Sequence, residues 1–177
     1  MLPVHRIRAL LTEHDDQRRR ERPRDFDPEA AARRFARLTD ALRRRFGPSC
    51  RADLWQDASV YGTIVVPAEA DGADGRLWVG LSNFGGFVTA RTDTGGGAPG
   101  AAEGPGDAFV AWLDGVCAAA GCVLVPSALL LERYEGPTPT HADDDRVFLE
   151  ALAAAGHDVD GEEVTPPVWA DRYFDYV

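Results

Sequence analysis

At Gly47-Pro48 the spacing of apolar residues changes from a helical repeat to an extended one, so the chain must build a fold that mixes both classes. Upstream, Ala31, Phe35, Leu38, Leu42 and Phe46 recur at helical spacing and make one apolar face. Asp27 is placed to cap that helix, Pro28 suits its first position, Glu29 suits the positive end of its dipole, and Gly47-Pro48 stops it. Burying the four large side chains of this face contributes about 6–12 kcal/mol before entropy is subtracted. Downstream, Ala52, Leu54, Gln56, Ala58, Val60, Gly62, Ile64 and Val66 alternate with Asp53, Trp55, Asp57, Ser59, Tyr61, Thr63 and Val65. A side-chain period of two predicts one strand over residues 52–66 with the first set facing the core. Pro67 ends it.

The rest of the chain extends both patterns. Arg76 to Ser82 and Phe87 to Arg91 read as strands joined by a hairpin at Asn83-Phe84-Gly85-Gly86, giving a three-stranded antiparallel meander. Gly-, Ala- and Pro-rich residues 92–106 read as a surface loop. Asp107 starts a helix that carries Phe109, Trp112, Leu113, Val116, Cys117 and Ala120 and closes at Gly121, followed by a short buried strand, Cys122 to Val125. A short helix or turn is expected over Ser127 to Tyr134. A further helix near Asp143 to Ala155 has Val147, Phe148, Leu152 and Ala155 as its apolar face. A last one after Pro166-Pro167 places Trp169, Arg172, Tyr173 and Tyr176 on one side. The fold class is α+β: an antiparallel sheet of three to five strands flanked by helices, with an N-terminal helical extension.

The 177 residues suit one domain, and the sequence divides it into an Arg-rich extension, residues 1–26, and a body, residues 27–177. Pro3 to Arg20 forms a narrow amphipathic helix through Val4, Ile7, Leu10 and Leu11, and Arg18 to Arg24 reads as a solvated linker. The cap at Asp27 needs nothing before it, so the extension is expected to be dispensable for folding.

Charge divides along similar lines. The first 51 residues hold 14 Arg against 8 acids, the remainder 5 Arg against 21 acids, and the whole chain is −10. A body so acidic repels nucleic-acid phosphates and attracts a basic protein partner. His5, Arg6 and Arg8 interrupt the first apolar stretch, and Cys122 to Leu131 is too short to span a bilayer, which points to the cytosol and away from a membrane. Cys50, Cys117 and Cys122 are odd in number and contain no Cys-x-x-Cys pair, as expected of buried thiols in a reducing compartment.

No motif assigns a catalytic, cofactor or metal residue. Gly95-x-Gly97-x-x-Gly100 matches a dinucleotide pattern, but six residues separate it from Asp107, whereas that chemistry needs the glycines in the turn entering the helix. Asp158-x-Asp160-Gly161 lacks the further ligands of a calcium loop. His141 with Asp143, Asp144 and Asp145 reads as helix-start acids, which the dipole favours. Ser49, Ser59, Ser82 and Ser127 lie in no nucleophile elbow, and His5, His14, His141 and His157 show no pairing.

Surface aromatics and acids are the features that look functional. Asp53, Trp55, Asp57 and Tyr61 share the strand face opposite the core, Phe84 tips the hairpin, and Asp143, Asp144 and Asp145 add charge, so these eight residues are the expected partner-binding set. The C-terminal Trp169-Ala170-Asp171-Arg172-Tyr173-Phe174-Asp175-Tyr176-Val177 resembles endings of small uncharacterised bacterial proteins. Val125-Pro126, the Tyr134-Glu135-Gly136-Pro137 turn and Ser82-Asn83-Phe84-Gly85 share the likeness. Some proteins of that kind resemble immunity proteins that neutralise a toxin, which implies binding without an active site. From the residues themselves, Trp169, Tyr173 and Tyr176 read as a cluster fixing the C-terminal segment, with Arg172 paired to an acid. The expected function is a non-catalytic cytosolic binding protein for a cationic partner; the alternative is a small hydrolase or transferase with a site at the sheet edge.

Overall fold

A computed structural model describes residues 1–16, 18–56, 58–67, 76–93, 105–137, 147–149, 151–152, 154–155 and 166–174. Its helices are α1 (Val4–Glu13), α2 (Pro28–Phe46), α3 (Asp107–Ala120), α4 (Ser127–Leu130) and α5 (Trp169–Tyr173). Its strands are β1 (Arg51–Leu54), β2 (Val60–Val66), β3 (Arg76–Ser82), β4 (Phe87–Asp93) and β5 (Val123–Leu124).

Helix α2 forms as its boundary residues dictate. The Asp27 carboxylate accepts from the Ala30 N–H at 2.9 Å, Pro28 occupies the first turn, and the Gly47 N–H closes on the Arg43 carbonyl. Ala31, Phe35, Leu38 and Leu42 are buried. Phe35, Leu38 and Leu42 pack with Phe109, Leu113 and Cys117 of α3 against Ile64, Val66, Leu77, Val79, Leu81, Val88 and Ala90 of the sheet.

The α+β class holds, with a five-stranded sheet in the order β1-β2-β3-β4-β5. The first three pairings are antiparallel, but β5 runs parallel to β4, with Phe87 opposite Val123 and Val88 opposite Leu124. Helix α3 is the crossover between them, which a parallel neighbour requires.

The single strand expected over residues 52–66 is instead a hairpin. Asp53 pairs with Thr63 and Leu54 with Gly62. The connection is held by the β3–β4 turn: the Asn83 Nδ2 donates to the Ala58 carbonyl at 2.8 Å, and the Asn83 N–H donates to the Ser59 carbonyl at 2.9 Å. The alternation also breaks within β2, where a bulge lies between Val60 and Gly62 opposite Ser82 and Leu81. One inserted residue exchanges the faces on its two sides. Gly62 and Ile64 face α2, whereas Val60, although buried, lies with Thr63 and Gly80 on the opposite face.

A second core covers one end of the sheet. Phe84 and Phe87 meet the ring of Tyr173 edge-on at 5.5 and 5.4 Å, and Trp169, Tyr134, Leu129, Leu130 and Val125 complete the cluster. Ile7 and Leu11 of α1 are fully buried in it. Through these two side chains α1 packs against the body. Helix α1 also ends at Glu13, short of Arg20. The segment after it is ordered by Asp16, whose carboxylate accepts from the Arg18 and Arg24 N–H groups at 3.2 and 2.9 Å. Those two backbone donors hold the Asp16 carboxyl below its ordinary range.

Candidate functional site

Those of the expected partner-binding residues that are described do not share one surface. Asp53 is exposed on β1, the outer strand of the sheet, beside Leu54, which is 64% exposed. The Trp55 N–H donates to the Tyr61 carbonyl, so the Asp53 and Trp55 backbone groups point into the hairpin and those of Ala52 and Leu54 point away from it. Trp55 is half-buried, its indole N–H donating to the Thr63 Oγ1 at 3.1 Å on the face away from α2.

Tyr61 lies on the other side of the sheet. It is half-buried against Phe35 of α2 at 5.6 Å between ring centres and against Phe26 at 6.4 Å. The bulge at Val60–Gly62 separates it from Trp55, correcting the shared face that strict alternation predicts. Phe84 is likewise not a surface residue: its exposure is 0%, with the Arg172 guanidinium 4.2 Å above its ring. Asp57, Asp143, Asp144 and Asp145 lie outside the described residues, as do the glycine motif at 95–100, the acidic turn at 158–163, His141 and His157.

Two side chains expected in the core are displayed instead. Residues 147–149 are helical, and Val147 and Phe148 are 58% and 62% exposed. They follow Asp143, Asp144 and Asp145 directly in sequence, separated only by Arg146.

Clefts open beside the sheet. An apolar one of about 180 Å³ has Val60, Thr63, Trp78 and Gly80 as its floor and Leu130 and Phe174 in its wall. Most polar atoms there are engaged: Thr63 receives Trp55, and Thr89 Oγ1 donates to the Val125 carbonyl at 3.1 Å. The buried Trp78 indole N–H has no acceptor among the described residues. A second cleft, of about 250 Å³, is polar and opens between the N-terminal segment, the start of α2 and the β3–β4 turn; His14, Asp25, Arg34 and Asn83 line it. Nothing in the hydrophobic pattern marks this cleft, although its turn residues were legible as a hairpin.

Reactive groups are turned inward. Burial pushes the Cys122 thiol up to about 11 and raises those of Cys117 and Cys50, and it raises the Tyr173 hydroxyl, which donates to the Leu11 carbonyl. Among the described residues no three His, Cys, Asp or Glu side chains gather into a metal-binding group. Among them, too, no helix is long and apolar enough to cross a membrane.

Comparison with protein-family models, curated proteins and solved structures finds no match to this chain.

Proposed function

We propose that this chain is a non-catalytic binding protein of the cytosol that engages a basic protein partner, a role of the immunity type. The observation that carries this reading is the exposure of Val147 and Phe148 on one helical segment, one residue after three aspartates in sequence. A pair of adjacent large apolar side chains left in water costs solubility, and an aromatic beside acids is the composition of an interface anchor with a charged rim. The net charge of −10 supplies attraction for a cationic surface. The exposed outer strand, with Leu54 and Asp53, is a second element such a partner meets.

The test uses the full chain as bait in cytosol of the source cell, followed by calorimetry with the recovered protein. A basic partner is expected, with affinity falling about thirtyfold for Phe148→Asp, as for an anchor worth about 2 kcal/mol, while Tm stays unchanged. Its association rate should fall steeply as salt shortens the Debye length from about 30 to 8 Å. Equal binding by Phe148→Asp, or an acidic partner with a salt-independent rate, overturns the reading.

A further inference from the structure

The polar cleft holds two groups whose bonding is incomplete. Asn83 is 7% exposed. Its amide orientation is fixed, because Nδ2 spends its two hydrogens on the Glu21 carbonyl at 2.9 Å and the Ala58 carbonyl at 2.8 Å. The remaining atom, Oδ1, is a buried acceptor with no donor among the described residues. Leaving such an atom unmatched is costly, and in a residue lining a cleft it calls for a donor from outside the chain.

Arg34 supplies the complementary group. It is half-buried, lies against Gly86 with guanidinium atoms 3.5 Å from where a Cβ would stand, and forms no hydrogen bond or ion pair among the described residues. The neighbouring arginine of the same helix, Arg33, is exposed and pairs with Glu29 at 3.4 Å. A planar cation held in a cleft without a counter-ion among the described residues is suited to a carboxylate, which it grips with two parallel N–H donors. Gly85 and Gly86 both have left-handed backbone, at φ +57° and +65°, and a side chain at Gly85 would strike Phe87 and His14. The turn is thereby kept low beneath the cleft. Asp25, exposed at the rim, favours positive charge on the ligand at that end.

We infer that this cleft binds a small carboxylate with an N–H on the adjacent carbon, the carboxylate on Arg34 and the N–H on Asn83 Oδ1. Both a free amino acid and the C-terminal residue of a peptide carry that chemistry, and about 250 Å³ suits one residue. Oδ1 is shielded from solvent, so the cleft has to yield slightly as the donor enters. This site is separate from the helical segment at Val147 and Phe148 and stands whatever becomes of the protein-binding reading.

The experiment is a nitrogen-15 NMR titration of the full chain with each standard free L-amino acid, each N-acetyl derivative and, as the control lacking the N–H, propionate. At least one N–H-bearing carboxylate is expected to shift the Asn83 side-chain amide and the Gly86 backbone signals, and propionate to leave the Asn83 amide in place. Response to free amino acids alone identifies a zwitterion site in which Asp25 takes part; response to the acetylated series identifies a peptide C-terminus. Arg34→Gln, at a position with no internal bond to lose, should weaken binding about tenfold or more. Asn83→Asp keeps an acceptor but loses donors to Glu21 and Ala58, so its Tm is measured beside its affinity. If no member of the panel moves these signals, or if Arg34→Gln binds as tightly as the parent, the inference is wrong.

Discussion

The Arg172 Nε donates to the Asp15 Oδ1 at 2.7 Å, joining side chains 157 residues apart in sequence, with 1% and 6% of their surface exposed. The other guanidinium nitrogens donate to backbone carbonyls of Asp16, Arg19 and Arg20, and Asp15 also receives the Tyr134 hydroxyl at 2.6 Å. One buried cation thus organises the turn after α1 and fastens it to α5. Its face covers the Phe84 ring. A charge this deeply buried is tolerated because its donors are so fully matched.

Removing either partner leaves the other buried without this ion pair. Asp15→Ala and Arg172→Met are each expected to cost about 3–5 kcal/mol and to lower Tm by about 6–20 °C. Pairing them in one chain should recover little, because the carbonyls of Asp16, Arg19 and Arg20 still lose the donors that Arg172 supplies. Calorimetric melts of the two single variants and the double variant check this, and full recovery in the double variant would contradict it.

A chain starting at Arg24 loses Ile7, Leu11 and Asp15 together. It is expected to forfeit its cooperative melt and the near-ultraviolet dichroism of Tyr134, Trp169 and Tyr173, whose rings pack at 5.0 and 5.9 Å around Trp169. An unaltered spectrum and melt would show that the N-terminal segment only leans on a finished domain.

Two glycines should respond to alanine in opposite directions. A Cβ at Gly62 would stand 2.7 Å from the Asp53 carbonyl oxygen and 2.8 Å from the Phe35 ring, so Gly62→Ala must force α2 from the sheet. Such overpacking costs about 1–3 kcal/mol. Gly115, inside α3 with nothing within 4 Å, should accept alanine and gain about 0.5–1 kcal/mol. Urea unfolding of both variants provides the comparison.

Stability should decline at alkaline pH. Cys122 titrates near 9.0 when unfolded and about 11 when folded, so its contribution is whole below 9 and drains away as pH rises through 11. The raised Cys117 and Tyr173 act in the same direction. At pH 8 all three thiols should resist alkylation until denaturant is added, and Cys122→Ala should make the fall between pH 9 and 11 shallower. Rapid alkylation of the native chain would place a thiol at the surface.

Local chemistry alone determined a good deal of this molecule. Asp27, Pro28 and Gly47 bounded α2, and its apolar face is the one buried; Gly121 ended α3, and the glycine-rich turn joined β3 to β4. Those signals act within a few residues, so they are legible in a string of residues. Pairing of Arg172 with an acid was readable too, as the need of a buried cation, but which acid was not, since Asp15 and Arg172 meet only when both termini dock on the sheet end. Tertiary structure likewise decided that residues 52–66 fold back on themselves, since the bonds from Asn83 to Ala58 and Ser59 come from a distant turn. The bulge at Val60–Gly62 then placed Trp55 and Tyr61 on opposite faces, an outcome that alternation cannot encode because one inserted residue reverses everything beyond it. Phe84 went into the core and Phe148 into water for a related reason: hydrophobicity fixes what a residue prefers, and only the packed neighbours decide which residues obtain it.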